Sequence, residues 1–454
     1  MLGASPLDTT LAWSELRVDP TFTWHCDDPR QFATDGAILT RPEMRTNVKV
    51  ILDRPSATDE SREYRAKIVN RAAELLPLLR AHAERTERIG RVPDEVINAL
   101  RESGLLSLTL PRRYGGLETD IRTLMEVSAE LAKGCGATSW VTTLMSACAY
   151  FAALFSESAQ DEVWGGNPHN LVAGSLTPNG SAIPVAGGYL VSGKWPWASG
   201  SAHAQWAIVA TPVVDATADS AQPPAIELML IPMTELTIER TWSMAGMSGT
   251  GSDTVVGDQV FVPTHRCAPM SKLAEGDYPT PFTEEPLYRT AFIPVALIVL
   301  AAPQLGLAQA ALDLVLAKAP NRALSGTFYP HQSDGPGVQL TVAEAAALVN
   351  SAHLHLYNAA GEIDEWAHHA AYPDYLARTK IRMDVGIAAR YAREAIRMLV
   401  SVHGASSFAT ANPLQRIWRD SEVASRHTAI RQDINAELYG KALLGLPERI
   451  SPLV

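Results

Sequence analysis

The order in which two periodicities alternate along the chain is what most limits its fold. From Arg62 to about residue 165, apolar residues recur at helical spacing, as in Ile68, Ala72, Leu75, Leu76, Leu79 and Ala83, with Arg, Lys and Glu between them. Between roughly 170 and 265 the pattern turns to short β-branched and aromatic runs cut by Gly and Pro, such as Tyr189-Leu190-Val191 and Trp206-Ala207-Ile208-Val209. After a segment rich in Pro, Glu and Tyr, the helical period returns in long stretches at 290–318, 341–370, 375–402 and 413–440. Helices, then sheet, then helices predicts an α+β chain with segregated layers: a helical domain at 63–170, a β domain at 171–267, a linker at 268–288 and a four-helix bundle at 289–454. Residues 1–62 show no sustained period and read as an irregular extension, within which Met44 is an alternative start.

A chain of 454 residues with 46% hydrophobic residues has the composition of a globular protein with room for a buried cofactor pocket. Its net charge of −11 argues against a nucleic-acid or anionic-membrane surface, since both need clustered Lys and Arg. Cys26, Cys135, Cys148 and Cys267 lie far apart with no CxxC pair, which disfavours a zinc cluster or a disulfide framework and fits a reducing cytoplasm. The most apolar run, residues 292–302, is about half of what spans a bilayer and reads as a core helix. The first residues lack the basic and apolar regions of a signal peptide.

Several motif matches fail on context. Gly188 to Lys194 follows most of a P-loop, but Trp195 stands where the magnesium-binding hydroxyl belongs and the middle is strand-like. Gly246 to Gly251 precedes a strand, where a dinucleotide site needs a helix. Glu365 and His368 have the spacing of a di-iron pair without a second such pair, and no HExxH or GxSxG occurs, so no metal site is expected. Three places stay open. Trp195-Pro196-Trp197-Ala198-Ser199-Gly200 suits either a core aromatic cluster or the rim of a site. His403-Gly404-Ala405-Ser406-Ser407 suits either a plain helix C-cap or a close backbone approach to a flat or anionic group. His427, two turns beyond Trp418-Arg419-Asp420 in the last long helix, taken alone is more often structural than catalytic.

Taken in order, Gly104-Leu105-Leu106, Leu110-Pro111-Arg112-Arg113-Tyr114-Gly115-Gly116, Ser139-Trp140-Val141, Gly193 to Gly200, Trp242, Gly246 to Asp253, and Pro413 to Asp420 with His427 resemble the acyl-CoA dehydrogenase fold. More closely they resemble its two-component flavin monooxygenase branch, the oxygenases of 4-hydroxyphenylacetate and 3-hydroxylated steroid degradation, over residues 63–450. The resemblance implies an N-terminal helical domain, a middle β-barrel or sandwich and a C-terminal four-helix bundle, with reduced flavin between the β domain and the bundle. It makes Trp197 a wall of the flavin site, Ser199 a catalytic hydroxyl near flavin N5 and His427 the catalytic imidazole facing C4a. Arg289 and Phe292 would flank the ribityl-phosphate, Asn321 to Ala323 would reach a neighbouring subunit's flavin, and Gly404, Ala405 and Ser406 would pass along the ring edge. Ser175 and Cys148 would lie on the substrate side.

The activity implied is that of an oxygenase component using reduced FMN or FAD, FMN put first, with O2 as co-substrate. A separate NAD(P)H:flavin reductase would supply the flavin to a cytoplasmic homotetramer. In that branch the C4a-hydroperoxide gives its distal oxygen to an aromatic or heteroatom-containing small molecule, phenolic or polyketide-like. A serine near N5 hinders loss of the proton whose departure expels hydrogen peroxide, and an imidazole near C4a stabilises the adduct or deprotonates a phenol. Cys148 stands where many phenol hydroxylases of the branch carry histidine, so a simple phenol is not the favoured substrate. The rivals are an acyl-CoA dehydrogenase acting on a thioester, which lacks its Tyr-Glu-Gly motif here, and a catalytically silent scaffold of the same fold, against which Ser199 and His427 both argue.

Overall fold

The structure, a computed structural model, describes residues 59–214, 224–446, 450, 451, 453 and 454. Most of the N-terminal extension, Met44 and Cys26 included, lies outside the described residues. The first helix, α1 (Asp59–Ile89), opens the described chain slightly before the helical period becomes legible. It is followed by α2 (Asp94–Glu102), α3 (Ile121–Ala132), α4 (Gly136–Ala153) and the single turn α5 (Glu157–Gln160). Helix α4 is buried on nearly every face, so it forms the centre of this domain rather than its wall. Its first turn presses against the bundle: a Cβ on Gly136 would meet Leu307 at 2.9 Å, which is why no larger residue fits there.

The β domain holds two four-stranded sheets. One runs β1 (Val172–Ser175), β4 (Trp206–Pro212), β5 (Ile226–Pro232) and β8 (Cys267–Pro269). The other runs β2 (Ser181–Val185), β3 (Gly188–Ala198), β7 (Asp253–Pro263) and β6 (Thr237–Glu239). Between them lies a separate core of Val191, Trp195, Val209, Met229, Ile231 and Val255. Trp195 fills it completely and donates its indole N–H to the carbonyls of Asn179 and Ala210, both at 3.1 Å, so the buried ring leaves no orphan donor.

After the short α6 (Met270–Ala274) come α7 (Phe292–Ile298), α8 (Ala302–Lys318), α9 (Pro336–His368), α10 (Tyr375–His403), α11 (Pro413–Ala424) and α12 (Gln432–Leu443). Two expected long helices are broken. The segment beginning near 290 divides at residues 299–301, and Pro303, tolerated only in a helix's first turn, opens α8. The whole stretch Phe292–Asn321 is long and apolar enough to cross a membrane, yet 83% of its most apolar window is buried inside the protein, as core helices are. The last helix also divides, between Ala424 and Gln432, and His427 stands in the break with an extended backbone. The bundle joins the N-terminal helices through Asp364 of α9, whose two carboxylate oxygens accept the Ile121 and Arg122 N–H groups at 2.8 and 2.9 Å. These are orphan donors at the start of α3.

Candidate active site

Strand β3 ends in a distortion that separates its two tryptophans. Residues two apart on a strand normally share a face, but the register of β3 against β7 slips between Trp195 and Ala198. Trp197 takes a left-handed φ of +65°, a strained setting for a bulky residue. The result resolves the open alternative both ways: Trp195 goes into the core, while Trp197 stands 56% exposed at the rim. Beyond the bulge the chain turns inward and Ser199 is buried.

The Ser199 hydroxyl sits in a line of polar atoms. Trp140 of α4 donates its Nε1–H to Ser199 Oγ at 3.1 Å. Ser199 Oγ lies 2.7 Å from Ser252 Oγ, which lies 2.6 Å from Thr250 Oγ1, and Thr250 Oγ1 donates to the Met247 carbonyl at 2.9 Å. All of these side chains are buried. Met247 has φ +53° and is held from three sides. Its N–H donates to Asp420 Oδ1 of α11 at 2.5 Å, and its carbonyl also accepts Trp242 Nε1 at 2.8 Å and the Thr250 N–H at 3.1 Å. Asp420 is buried, and burial pushes its carboxyl up to about 6.

The same Trp140 faces His427, with ring centroids 6.5 Å apart and planes inclined by 49°. His427 caps the turn Thr428–Ile430: its Nδ1 accepts the Ala429 N–H at 3.3 Å. That acceptor role assigns the neutral tautomer with its proton on Nε2. The residue as a whole is exposed, yet the protein packed around the imidazole desolvates it and brings its pKa down to about 4. Three regions of the chain, α4, the end of β3 with its hydroxyl partners, and the α11–α12 break, thus meet around Trp140.

The remaining expected residues fall in other places. Cys148 is buried two turns beyond Trp140 on α4, and burial pushes its thiol up to about 12, so it stays protonated. A Cβ on Gly174 would come within 3.3 Å of its sulfur, which sets Cys148 against β1 just before the buried Ser175. Phe292 is fully buried and packs edge-on against Phe151 at 4.9 Å. Its apolar ring completes the core between α4 and α7. Arg289 is half-buried and donates Nε–H to the Ala367 carbonyl at 3.0 Å, closing the end of α9.

Asn321, Ala323, Ala405 and Ser406 are all exposed, and Arg322 joins their two segments. Its Nη1 donates to the His403 carbonyl at 2.8 Å and lies 3.1 Å from His403 Nδ1. Ser406 and Ser407 Oγ approach the same Nδ1 at 3.3 and 3.1 Å. Gly404 turns the backbone there at φ +80°. With Nδ1 taken as an acceptor, the buried Nε2 of His403 has no partner, and burial, followed by Arg322, lowers the pKa of the ring. An arginine, serine hydroxyls and an orphaned buried imidazole donor make a set that an anionic phosphate suits.

Trp140, Thr250, Ser252 and Asp420 lie inside recognisable sequence motifs, and Arg322 lies between Asn321 and Ala323, yet no local pattern marks any of the first four for a role. A buried hydroxyl or carboxylate that fixes another side chain looks, in one sequence, like any other polar residue in a loop. Arg322 had a usable signal: a lone cation just past the end of an apolar helix.

A flavin isoalloxazine fits the chemistry of the first cluster, which offers an exposed indole wall, a buried hydroxyl and a neutral imidazole with a free N–H. Comparison with known proteins agrees. The family model described as acyl-CoA dehydrogenase, N-terminal domain, matches residues 58–165, and that of the C-terminal domain matches residues 298–432. The flavin-dependent monooxygenase oxygenase subunit HsaA of Rhodococcus jostii (strain RHA1) is 33% identical over 82% of this chain and 97% of its own. The oxygenase component of the FADH2-dependent resorcinol hydroxylase of Rhizobium sp. (strain MTP-10005) is 33% identical over 84% of this chain and 94% of its own. Among solved structures, XiaF from Streptomyces sp. in complex with FADH2 and glycerol superposes with a TM-score of 0.82 at 37% identity, covering 87% of this chain and 98% of that one.

Proposed function

The chain belongs to the acyl-CoA dehydrogenase-like flavin-dependent monooxygenases and is the oxygenase component of a two-component system, and we propose that its substrate is an aromatic small molecule that needs no deprotonation before attack. Reduced flavin, when bound, supplies the activation of O2; the protein supplies position, dryness and a hydrogen-bond donor. Trp197 gives the ring a flat apolar wall. Ser199 sits beside it, anchored by Trp140. His427, neutral at working pH, presents Nε2–H as a hydrogen-bond donor where an oxygen atom needs one, without giving up its proton. On the substrate side Cys148 is a neutral thiol, so that position holds no base for a phenolic proton. This observation supports a larger or less acidic aromatic over a simple phenol.

The single observation that carries this reading is Trp140 touching both Ser199 and His427. The test supplies purified protein with reduced FAD or FMN from an NAD(P)H:flavin reductase and counts product against hydrogen peroxide over a panel of phenols and fused-ring aromatics. FAD comes first, because the two reported relatives whose descriptions name a flavin name FADH2. Ser199→Ala is expected to raise the share of reductant lost as hydrogen peroxide several-fold; an unchanged share removes Ser199 from the site.

We also propose a homotetramer in a reducing cytoplasm. Cys135, Cys148 and Cys267 are free thiols, as a reducing compartment keeps them. Phe328 is 107% exposed, with exposed Tyr329 and Leu340 nearby in sequence, close after the Asn321–Ala323 patch. Apolar side chains of this kind call for a covering surface, and a second copy placed there would bring Arg322 towards its neighbour's flavin. Phe328→Asp is expected to lower the molar mass by light scattering to that of a smaller assembly. An unchanged mass would exclude this surface.

A further inference from the structure

The Trp140–Ser199–Ser252–Thr250–Met247 line has two ends of opposite kind. An indole N–H only donates, and a peptide carbonyl only accepts. Between them stand three hydroxyls, each with one proton. One arrangement satisfies every short contact: Trp140 donates to Ser199, Ser199 to Ser252, Ser252 to Thr250, and Thr250 to the Met247 carbonyl. If Ser252 instead donated to Ser199, Thr250 would have to donate to Ser252. Its bare oxygen would then face the Met247 carbonyl oxygen at 2.9 Å, an unsatisfied buried contact between two acceptors. The carbonyl itself cannot turn away, because Asp420, Trp242 and the Thr250 amide all hold the Met247 peptide units.

We propose that this line orders the hydroxyl protons so that Ser199 presents a lone pair, not a proton, to flavin N5, and that Thr250 and Ser252 are positioning residues for a site selective for reduced flavin. The inference rests on the flavin reading above. Ser199 has two lone pairs; Trp140 takes one, and its own proton is committed to Ser252, which leaves the other lone pair facing the ring. Reduced flavin bears a proton on N5 and is a donor there, whereas oxidised flavin has a lone pair on N5 and needs a donor. The site therefore binds the reduced form in preference, which is what a protein charged by a separate reductase requires. An acceptor on N5–H also opposes loss of that proton, the loss that accompanies wasteful release of hydrogen peroxide.

The two ends of the line give opposite expectations. Thr250→Val keeps the side chain's shape and removes the acceptor for Ser252, so Ser252 turns its proton to Ser199 and the Ser199 proton is freed towards N5. Trp140→Phe removes the donor and leaves the direction of the line intact. The measurement is the dissociation constant of wild type and each variant for anaerobically reduced FAD and for oxidised FAD, with FMN in parallel. Wild type and Trp140→Phe should both favour the reduced form. Thr250→Val should cut the ratio of oxidised to reduced dissociation constants about tenfold, a fall of about 30 mV in the midpoint potential of the bound two-electron couple. Ser252→Ala, which also frees the Ser199 proton, should lower the ratio too and stands in if Thr250→Val does not fold. A ratio unchanged in Thr250→Val or Ser252→Ala, or lost equally in Trp140→Phe, overturns the ordering while leaving the flavin reading intact. Wild type binding neither flavin in either state overturns both.

Discussion

Replacing His427 by alanine should cost about a hundredfold or more in product formation while flavin binding persists. The magnitude is that of one hydrogen-bond donor removed from a reacting centre. Binding survives because the flat wall at Trp197 and the hydroxyl at Ser199 reach the site from a different part of the chain. The reductant should still be consumed, with hydrogen peroxide appearing in place of product, so the measurement is product per NAD(P)H oxidised. Unchanged coupling would return His427 to a purely structural role as the cap of Thr428–Ile430. The pH dependence separates these roles further. Because the folded pKa lies near 4, below the ordinary 6.5, the ring stays neutral through the physiological range, and activity should show no inflection from His427 near pH 6.5. Between pH 6.5 and about 4 the unfolded chain takes up a proton that the folded chain refuses, so stability declines as pH falls through that window and levels off below it. A ring titration by NMR with a midpoint near 6.5 would sink the assignment.

The second large effect is on stability. Asp420→Ala should destabilise the protein by about 2–3 kcal/mol, because it leaves the Met247 N–H buried without a partner at a residue already in a strained backbone conformation. Asp420 also reaches the other side of the site: its Oδ2 lies 3.2 Å from where a Cβ on Gly136 would sit, at the first turn of α4. There a carboxylate is favoured by the unpaired N–H groups of the helix start. The alanine variant should therefore loosen the 246–252 loop and the Trp140 helix together. Asp420→Asn keeps an acceptor for Met247 and behaves differently. The wild-type carboxyl, raised from 3.8 to about 6, keeps its proton in the folded chain where the unfolded chain has lost it, so stability falls as pH rises from about 4 to about 6. The asparagine variant should lose that slope and match or exceed wild type at pH 8. Thermal unfolding of the three proteins at pH 4, 6 and 8 decides it; an alanine variant as stable as wild type would show that Asp420 does not hold the loop.

The helices and the β domain could be read from the sequence because each repeats its own period over many residues: Ile68, Ala72, Leu76 and Leu79 on α1 are all buried, as their spacing demands. The places that shape the site break those periods without local markers. Nothing in Ser425-Arg426-His427-Thr428 contains the Gly or Pro that normally interrupts a helix, yet the chain breaks there. The His427 ring supplies the cap in place of a smaller polar residue. Trp197 likewise takes a conformation usually left to Gly or Asn, so the alternation along β3 could not say which tryptophan faces the core. In α4, burial on almost all faces erases the contrast between inside and outside, and Trp140 could not be picked out from Trp164 or Trp206. Direct hydrogen bonds between residues far apart in sequence, such as Trp140 Nε1–H to Ser199 Oγ and the Met247 backbone N–H to Asp420, follow from packing alone.

The contact of Trp140 with His427 closes a loop of chain that encloses the whole β domain, and this has a consequence for the order of assembly. Contacts of such long sequence separation form late, after the domains they connect have folded as units. A nascent chain carrying its helical domain and its sheets already has the indole and the serine, but it lacks the imidazole and the Asp420 clamp until the bundle docks. The cluster around Trp140 is therefore completed only when segments on both sides of the β domain have docked.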